Sequence, residues 1–330
     1  MADRRISAGG ALCGALGALT LLALAVQPHD AVETESGAHV WRIDLALREM
    51  SAAGLRWGLF VPGLPPAPDE ALDGPLLWPA PAAATASIAA PERALVDMRS
   101  YTLEAVRDGS TTVPRLLLDR LPTLLTRVES ADLRKRLFIK ALLPTLLAEN
   151  ERILARRARL LEIAAARDEG VAMSDVDRTW LEEVAETYGT EGDDLDELLR
   201  RVDAVPPSLA IAQAALESGW GTSRSAQQSH SMFGQMMLVG AESPRATVRP
   251  FQGLGDAVAA YVHNLNTHRA YAPMRERRLR ARNAGQAPDG HELAGELVRY
   301  SERGPDYVRD VRVMIRTNRL EAFDRARLDG

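Results

Sequence analysis

Val205 to Gln235 reads VPPSLAIAQAALESGWGTSRSAQQSHSMFGQ, and its first half spells a short helix in small and apolar residues. Pro206 and Pro207 end whatever precedes them, because proline lacks the N–H of a helix ladder and restricts the residue before it. Ser208 is the expected N-cap. Leu209, Ala212, Ala215 and Leu216 recur at helical spacing, which predicts a helix from Ser208 to Ser218 with a small-residue face turned inward. Gly219 and Gly221 bracket Trp220 and supply the stop. Glu217 then falls in the last turn, where the helix dipole disfavours an ionised carboxylate. Burial beside the indole of Trp220 would push the same way. A carboxylic acid kept protonated near neutral pH is what a glycosidase uses to protonate a leaving oxygen. A Glu that merely ends a helix is the competing explanation.

The remaining chemistry-bearing residues offer less. His230, His263 and His268 are scattered, with no HExxH spacing, so neither a metal site nor a cofactor is expected. Ser218 stands in E-S-G-W-G and not in a G-x-S-x-G elbow. No P-loop or dinucleotide fingerprint occurs. The net charge of −5 gives no basic field that would draw nucleic acid. Arg275, Arg277, Arg278, Arg280 and Arg282 form a basic run, expected to be a solvated helix face.

Outward from the central stretch, the 330 residues suit one or two domains. Residues 1–26 carry Arg4 and Arg5 before an apolar run from Ile6 to Val26, the pattern of a signal peptide. The run is also near the ~20 residues that span a bilayer, so an anchor holding residues 6–26 in the inner membrane is the alternative. Either way the rest is expected to be exported, facing the periplasm. Cys13 is the only cysteine, which leaves no intramolecular disulfide. Residues 27–100 form an N-terminal segment. Val40 to Phe60 reads as a short helix or amphipathic stretch, and Pro62 to Pro91 holds eight of the nineteen prolines, a linker composition.

Residues 101–200 read as a helical pre-domain. Pro114 is placed to open a helix through Leu116–Leu118, and Ser130 to cap a long one that Pro144 should kink or divide. Glu149, Glu151, Arg152, Arg156 and Arg157 read as a solvated charge face. Ser174-x-x-Asp177 resembles a capping box. Residues 201–330 form the second domain. In it, MMLVGAESPRATVRPFQG predicts a β-hairpin around Gly240, Ser243 and Pro244, and Gly255–His268, Leu293–Tyr300 and Tyr307–Ile315 predict helices. Four of the six tyrosines lie in the last quarter, suggesting a sugar-stacking groove, with core packing as the competing explanation. The fold class is mainly α with a small β-hairpin.

At this point AQAALESGWGTSR followed by F-G-Q resembles the signature of the glucosaminidase superfamily, glycoside hydrolase family 73, and more closely its Bax branch. The resemblance runs from about Pro114 through RKRLFIKALLP, HNLNTHRAY and RYSERGPDYVRDVRVMIRTN. It implies a lysozyme-like helical domain cleaving N-acetylglucosaminyl bonds in the glycan strands of peptidoglycan. Glu217 corresponds to the family's acid, and Trp220, Phe233 and Gln235 to residues lining the cleft. Tyr261, Tyr300 and Tyr307 match its tyrosines. His230 stands where the family carries Asn, and Ala257 and Ala260 replace polar residues. Glu242 in the hairpin is the candidate second carboxylate, with Asp256 weaker, and assistance by the substrate's N-acetyl group is a further possibility. Two other function classes fit the same pattern: a non-catalytic wall-binding or regulatory module, and a lytic transglycosylase.

Overall fold

The computed structural model describes residues 101–191, 194–239 and 245–329, together with two paired strands near the N-terminus. Those strands, β1 (Val32–Glu33) and β2 (His39–Val40), pair antiparallel within a unit of their own. The expected signal or anchor segment and the Pro/Ala-rich linker lie outside the described residues, as does the expected Val40–Phe60 helix apart from Val40, which ends β2. No helix among the described residues is long and apolar enough to cross a membrane.

Residues 101 onward are mainly helical. The helices run α1 (Leu103–Arg107), α2 (Ala131–Asp168), α3 (Asp175–Tyr188), α4 (Leu195–Arg201), α5 (Pro207–Ser218) and α6 (Arg224–Ser229). After the hairpin β3 (Met236–Val239) and β4 (Arg245–Val248) come α7 (Leu254–Thr267), α8 (Ala272–Asn283), α9 (Gly290–Leu293) and α10 (Pro305–Thr317). Tight 3₁₀ turns follow α9 at Ala294–Arg299 and α10 at Leu320–Arg325. The hairpin pairs Met236 with Val248 and Val239 with Arg245, in the predicted place.

The architecture is centred on α5. Every residue from Pro207 to Ala215 is buried, as expected of a helix apolar on all sides. Around it pack α2, α9, α10 and the Leu320–Arg325 turn. One continuous apolar core joins Phe138, Leu142 and Leu146 of α2 to Ile211 of α5, Val258 of α7 and Val311 of α10. Asn150 of α2 ties the two halves together. Its amide donates to the Val205 carbonyl (2.8 Å) and its oxygen accepts from the Val205 N–H (3.1 Å), which fixes where the chain enters α5.

Four local expectations differ from what the chain does. Ser208 does not cap α5; the cap position is Pro206, which has no side-chain oxygen to offer. Asp324 does the capping from far along the chain, accepting from the Ser208 N–H and hydroxyl at 2.7 Å each. Pro144 does not divide α2, because buried leucines on both sides pack the helix through the lost hydrogen bond. Pro114 opens no helix, since Val113 is drawn into a parallel bridge with Leu328. The basic runs are not solvated faces, for Arg157, Arg275 and Arg278 are buried. Arg278 donates to the Arg200 and Arg201 carbonyls at the end of α4, and Arg275 to Leu265 and His268 at the end of α7. Each guanidinium satisfies helix-terminal carbonyls and complements their negative dipole.

Candidate active site

Glu217 lies one residue before the end of α5. Gly219 closes the helix in the left-handed region (φ 58°), and Trp220 and Gly221 continue it with φ values of 58° and 78°. Glycine at 221 is required sterically as well: a Cβ there would come within 2.9 Å of Leu121 and Phe138. Ser218 holds this turn. Its hydroxyl donates to the Ala214 carbonyl (2.5 Å) and accepts from the Gly221 N–H (2.8 Å), so it is a structural residue.

The Phe233–Gly234 segment closes over the carboxyl. A Cβ on Gly234 would sit 2.7 Å from Glu217 Oε2, and the residue adopts φ +66°. Both facts demand glycine. The Glu217 side chain keeps some exposed surface, but its carboxyl is surrounded by protein. Burial raises its pKa above the ordinary carboxylate range, against weaker opposing effects of a Tyr307 hydrogen bond and the Arg303 charge. Arg303 is exposed and already paired with Asp310 at 2.5 Å. No carboxylate among the described residues is among the groups that shift Glu217.

Tyr271, Tyr300 and Tyr307 interact with this acid, Tyr261 stands behind them on Gln213, and all four are buried. Tyr307 hydrogen-bonds Glu217. Tyr300 stacks on Tyr307 (5.4 Å between centroids, 9° between planes) and donates to the Phe233 carbonyl at 2.7 Å. The Phe233 ring lies flat on Tyr261 at 3.9 Å, and Tyr271 leans on Tyr300 at 6.0 Å. The rings cover one another, so they form the wall behind Glu217 and not an open platform on which a sugar could stack.

Residues 192–320 match the family model described as mannosyl-glycoprotein endo-beta-N-acetylglucosaminidase. Protein bax of Escherichia coli strain K12 is 32% identical over 197 residues, which span 56% of this chain and 69% of that protein. The chain belongs to the Bax family. Two solved structures are also similar. The catalytic domain of the autolysin Auto from Listeria monocytogenes is 16% identical, covering 48% of this chain and 96% of that one at a TM-score of 0.28. A glycoside hydrolase domain of Salmonella typhimurium FlgJ is 21% identical, covering 42% and 97% at 0.26. TM-scores this low do not establish a shared fold, and the family membership rests on the Bax match.

The other residues singled out in this Bax-family sequence fall in different places. Trp220 packs edge-on against Phe138 of α2 at 5.7 Å, with Lys135 Nζ 5.4 Å from its ring. His230 ends α6 with φ 53°, a left-handed position that Asn and His tolerate better than most residues. Burial and Arg120 lower its pKa while Asp119 and Asp256 oppose them, so the imidazole is neutral at pH 7. The same two acids line a cavity of about 330 Å³ with Leu117, Leu118, Thr145 and Gln252, and Glu217 is not among its lining residues. Gln235 follows Gly234, and its Oε1 is buried without a hydrogen-bond partner. Glu242 lies outside the described residues. Ala257 and Ala260 are buried in the core.

Sequence reasoning missed Gln213. It is fully buried on α5, one turn before Glu217. Its Nε2 donates to Tyr307 Oη at 3.0 Å, and its Oε1 accepts from Tyr261 Oη at 2.8 Å. The available signal was a lone amide in the apolar run LAIAQAAL, since a polar group so placed needs buried partners.

Proposed function

We propose that the chain is an exported peptidoglycan hydrolase that cleaves N-acetylglucosaminyl bonds with Glu217 as general acid. The observation that carries this is the state of the Glu217 carboxyl, buried and raised in pKa on a family-matching motif. A carboxyl whose pKa is raised by burial is favoured in its protonated form, the form that can deliver a proton to a glycosidic oxygen. Once the proton has left, the Tyr307 hydrogen bond stabilises the carboxylate. Gln235 Oε1 and Ser231 Oγ, buried and unpartnered on the segment beside Glu217, are polar atoms that sugar hydroxyl or N-acetyl groups would satisfy. Ala257 and Ala260, which depart from the family pattern, are buried in the core.

Glu242, the only acid in the 240–244 connection between β3 and β4, is the proposed second carboxylate. Its role would be that of base or nucleophile. Mass analysis of products from purified sacculi tests both assignments. Wild type should release muropeptides with reducing N-acetylglucosamine ends, and Glu217→Gln should lower release by about 10²- to 10⁴-fold. Anhydro-sugar ends would instead make the protein a lytic transglycosylase. Sacculus binding without any product would make it a wall-binding module. Unchanged release by Glu242→Gln would leave the substrate's own N-acetyl group as the helper.

A further inference from the structure

From the chain of hydrogen bonds behind Glu217 we infer that Gln213 is a positioning residue, which fixes the direction of the Tyr307–Glu217 hydrogen bond so that the phenol always donates. The inference rests on the general-acid role of Glu217 given above. Gln213 and Glu217 are four residues apart on α5 and therefore share a face. Tyr307 Oη lies between them, bonded to both side chains.

A phenol has one proton to donate. Because Gln213 Nε2 donates to Tyr307 Oη (3.0 Å), that proton is left for Glu217. If the amide were turned over, its oxygen would face Tyr307 and claim the same proton. Tyr307 would then present only lone pairs to Glu217. A protonated Glu217 could tolerate that arrangement, but an ionised one would be repelled.

The amide is prevented from turning. Tyr261 Oη donates to Gln213 Oε1 at 2.8 Å, and the Tyr261 ring is clamped by Phe233 stacked on it at 3.9 Å and 11°. Tyr307 is clamped likewise by Tyr300. Burial keeps both phenols neutral by pushing their pKa values well above the ordinary one, so neither loses the proton that defines its role. The order Tyr261→Gln213→Tyr307→Glu217 thus has a single polarity, set at its buried end.

The consequence falls on the proton-transfer step. The O–H bond of Glu217 breaks, its proton goes to the glycosidic oxygen, and the electron pair stays on the carboxyl. The Tyr307 O–H bond remains intact and already points at the charge that appears. A donor aimed beforehand at developing charge needs no reorganisation during reaction. Gln213 touches neither substrate nor the moving proton.

Gln213→Glu reverses the polarity, because a carboxylate only accepts and would take the protons of both tyrosines. We expect kcat on sacculi or a soluble glycan fragment to fall tenfold or more with KM within twofold. The alkaline limb of the kcat/KM profile should move to higher pH, because Glu217 becomes harder to ionise. Tyr261→Phe is the milder companion: it releases the amide to turn, and the Glu217 carboxyl, followed by ¹³C NMR in labelled protein, should titrate at higher pH than in wild type. A folded Gln213→Glu with an unmoved alkaline limb, or with its loss confined to KM, would overturn the inference. If Gln213→Glu does not fold, an unchanged Glu217 titration in Tyr261→Phe would overturn it. Glu217→Gln is the control for the underlying assignment. Full activity there removes the general acid itself, whereas lost activity there with unmoved profiles in the other two variants removes only the role of Gln213.

Discussion

Asp203 and Glu217 lie at opposite ends of the segment that leads into and through α5, and both carboxylates are withdrawn from water. Asp203 meets three guanidinium groups: Arg282 at 2.8 Å, Arg278 at 3.6 Å and Arg157 at 3.9 Å. Burial alone would raise its pKa, but these charges hold it below the ordinary value. Glu217 meets a phenol and one exposed guanidinium already paired elsewhere, and burial prevails. The same side-chain chemistry thus gives a charged tie between helices in one place and a carboxyl of raised pKa in the other. What separates them is whether several guanidinium groups close on the carboxyl or only one exposed guanidinium, already paired, acts on it.

The largest effect should come from breaking the first member of this pair. Asp203→Asn leaves Arg157, Arg278 and Arg282 without their carboxylate, and loss of one partner from a buried ionic cluster costs about 3–5 kcal/mol. Urea unfolding at pH 7 measures this. The deficit should shrink in acid, because a depressed pKa means that the stabilisation is present above the unfolded carboxylate value and is lost as pH falls through the folded one.

Gly234→Ala intrudes on the second member. The new Cβ would lie 2.7 Å from Glu217 Oε2 at φ +66°, so the loop must shift. Stability should drop by about 1–2 kcal/mol for the left-handed conformation. Muropeptide release should fall by about tenfold or more, since small misplacements of a catalytic group are costly. A variant that melts lower yet digests sacculi at the wild-type rate would show that the close approach is not needed for catalysis.

Glu217→Gln should show the opposite sign of pH dependence to Asp203→Asn. A raised pKa means that the contribution of Glu217 to stability is complete below the unfolded carboxylate value and is lost as pH rises through the folded one. The amide does not titrate, so thermal melts of variant and wild type should agree best near pH 4. The variant should gain on wild type towards pH 8. Parallel curves across that range would contradict the protonated state assigned to Glu217.

Asp324 supplies the smallest expected effect. Burial pushes its carboxyl up to about 7, despite the hydrogen bonds from Ser208 and Gly290. Its contribution is likewise complete below the unfolded value and lost as pH climbs through about 7. Asp324→Asn should flatten that part of the stability profile, and melts at pH 4, 5.5, 7 and 8 would reveal an unchanged slope if it does not.

The comparison also marks what a sequence makes legible. Glu217, its helix and the Gly219 stop are written within a dozen consecutive residues, because capping and periodicity are local. The β3–β4 hairpin is legible for the same reason. Arg278 is not. Five donors let it cap a helix that ends 77 residues earlier, at Arg201, and nothing in a run of arginines announces distant carbonyls. Val113 and Leu328 form their bridge across most of the described chain, so the apolar stretch beside Pro114 looked like a helix start. Gln213 was visible as an amide out of place. Its partners, Tyr261 and Tyr307, stand 48 and 94 residues away, so its direction and purpose were not visible. The tyrosines could be read either as a stacking surface or as core aromatics, and only packing shows that their faces are spent on one another.

Asp324 holds the start of α5 across a separation of 116 residues. Contacts so far apart close late in folding, after the shorter loops between them. A growing polypeptide that has emerged only as far as the Glu217 motif therefore carries its acid on a helix whose first turn is unsecured. The first turn of α5 gains its cap only when the downstream turn at Leu320–Arg325 is in place.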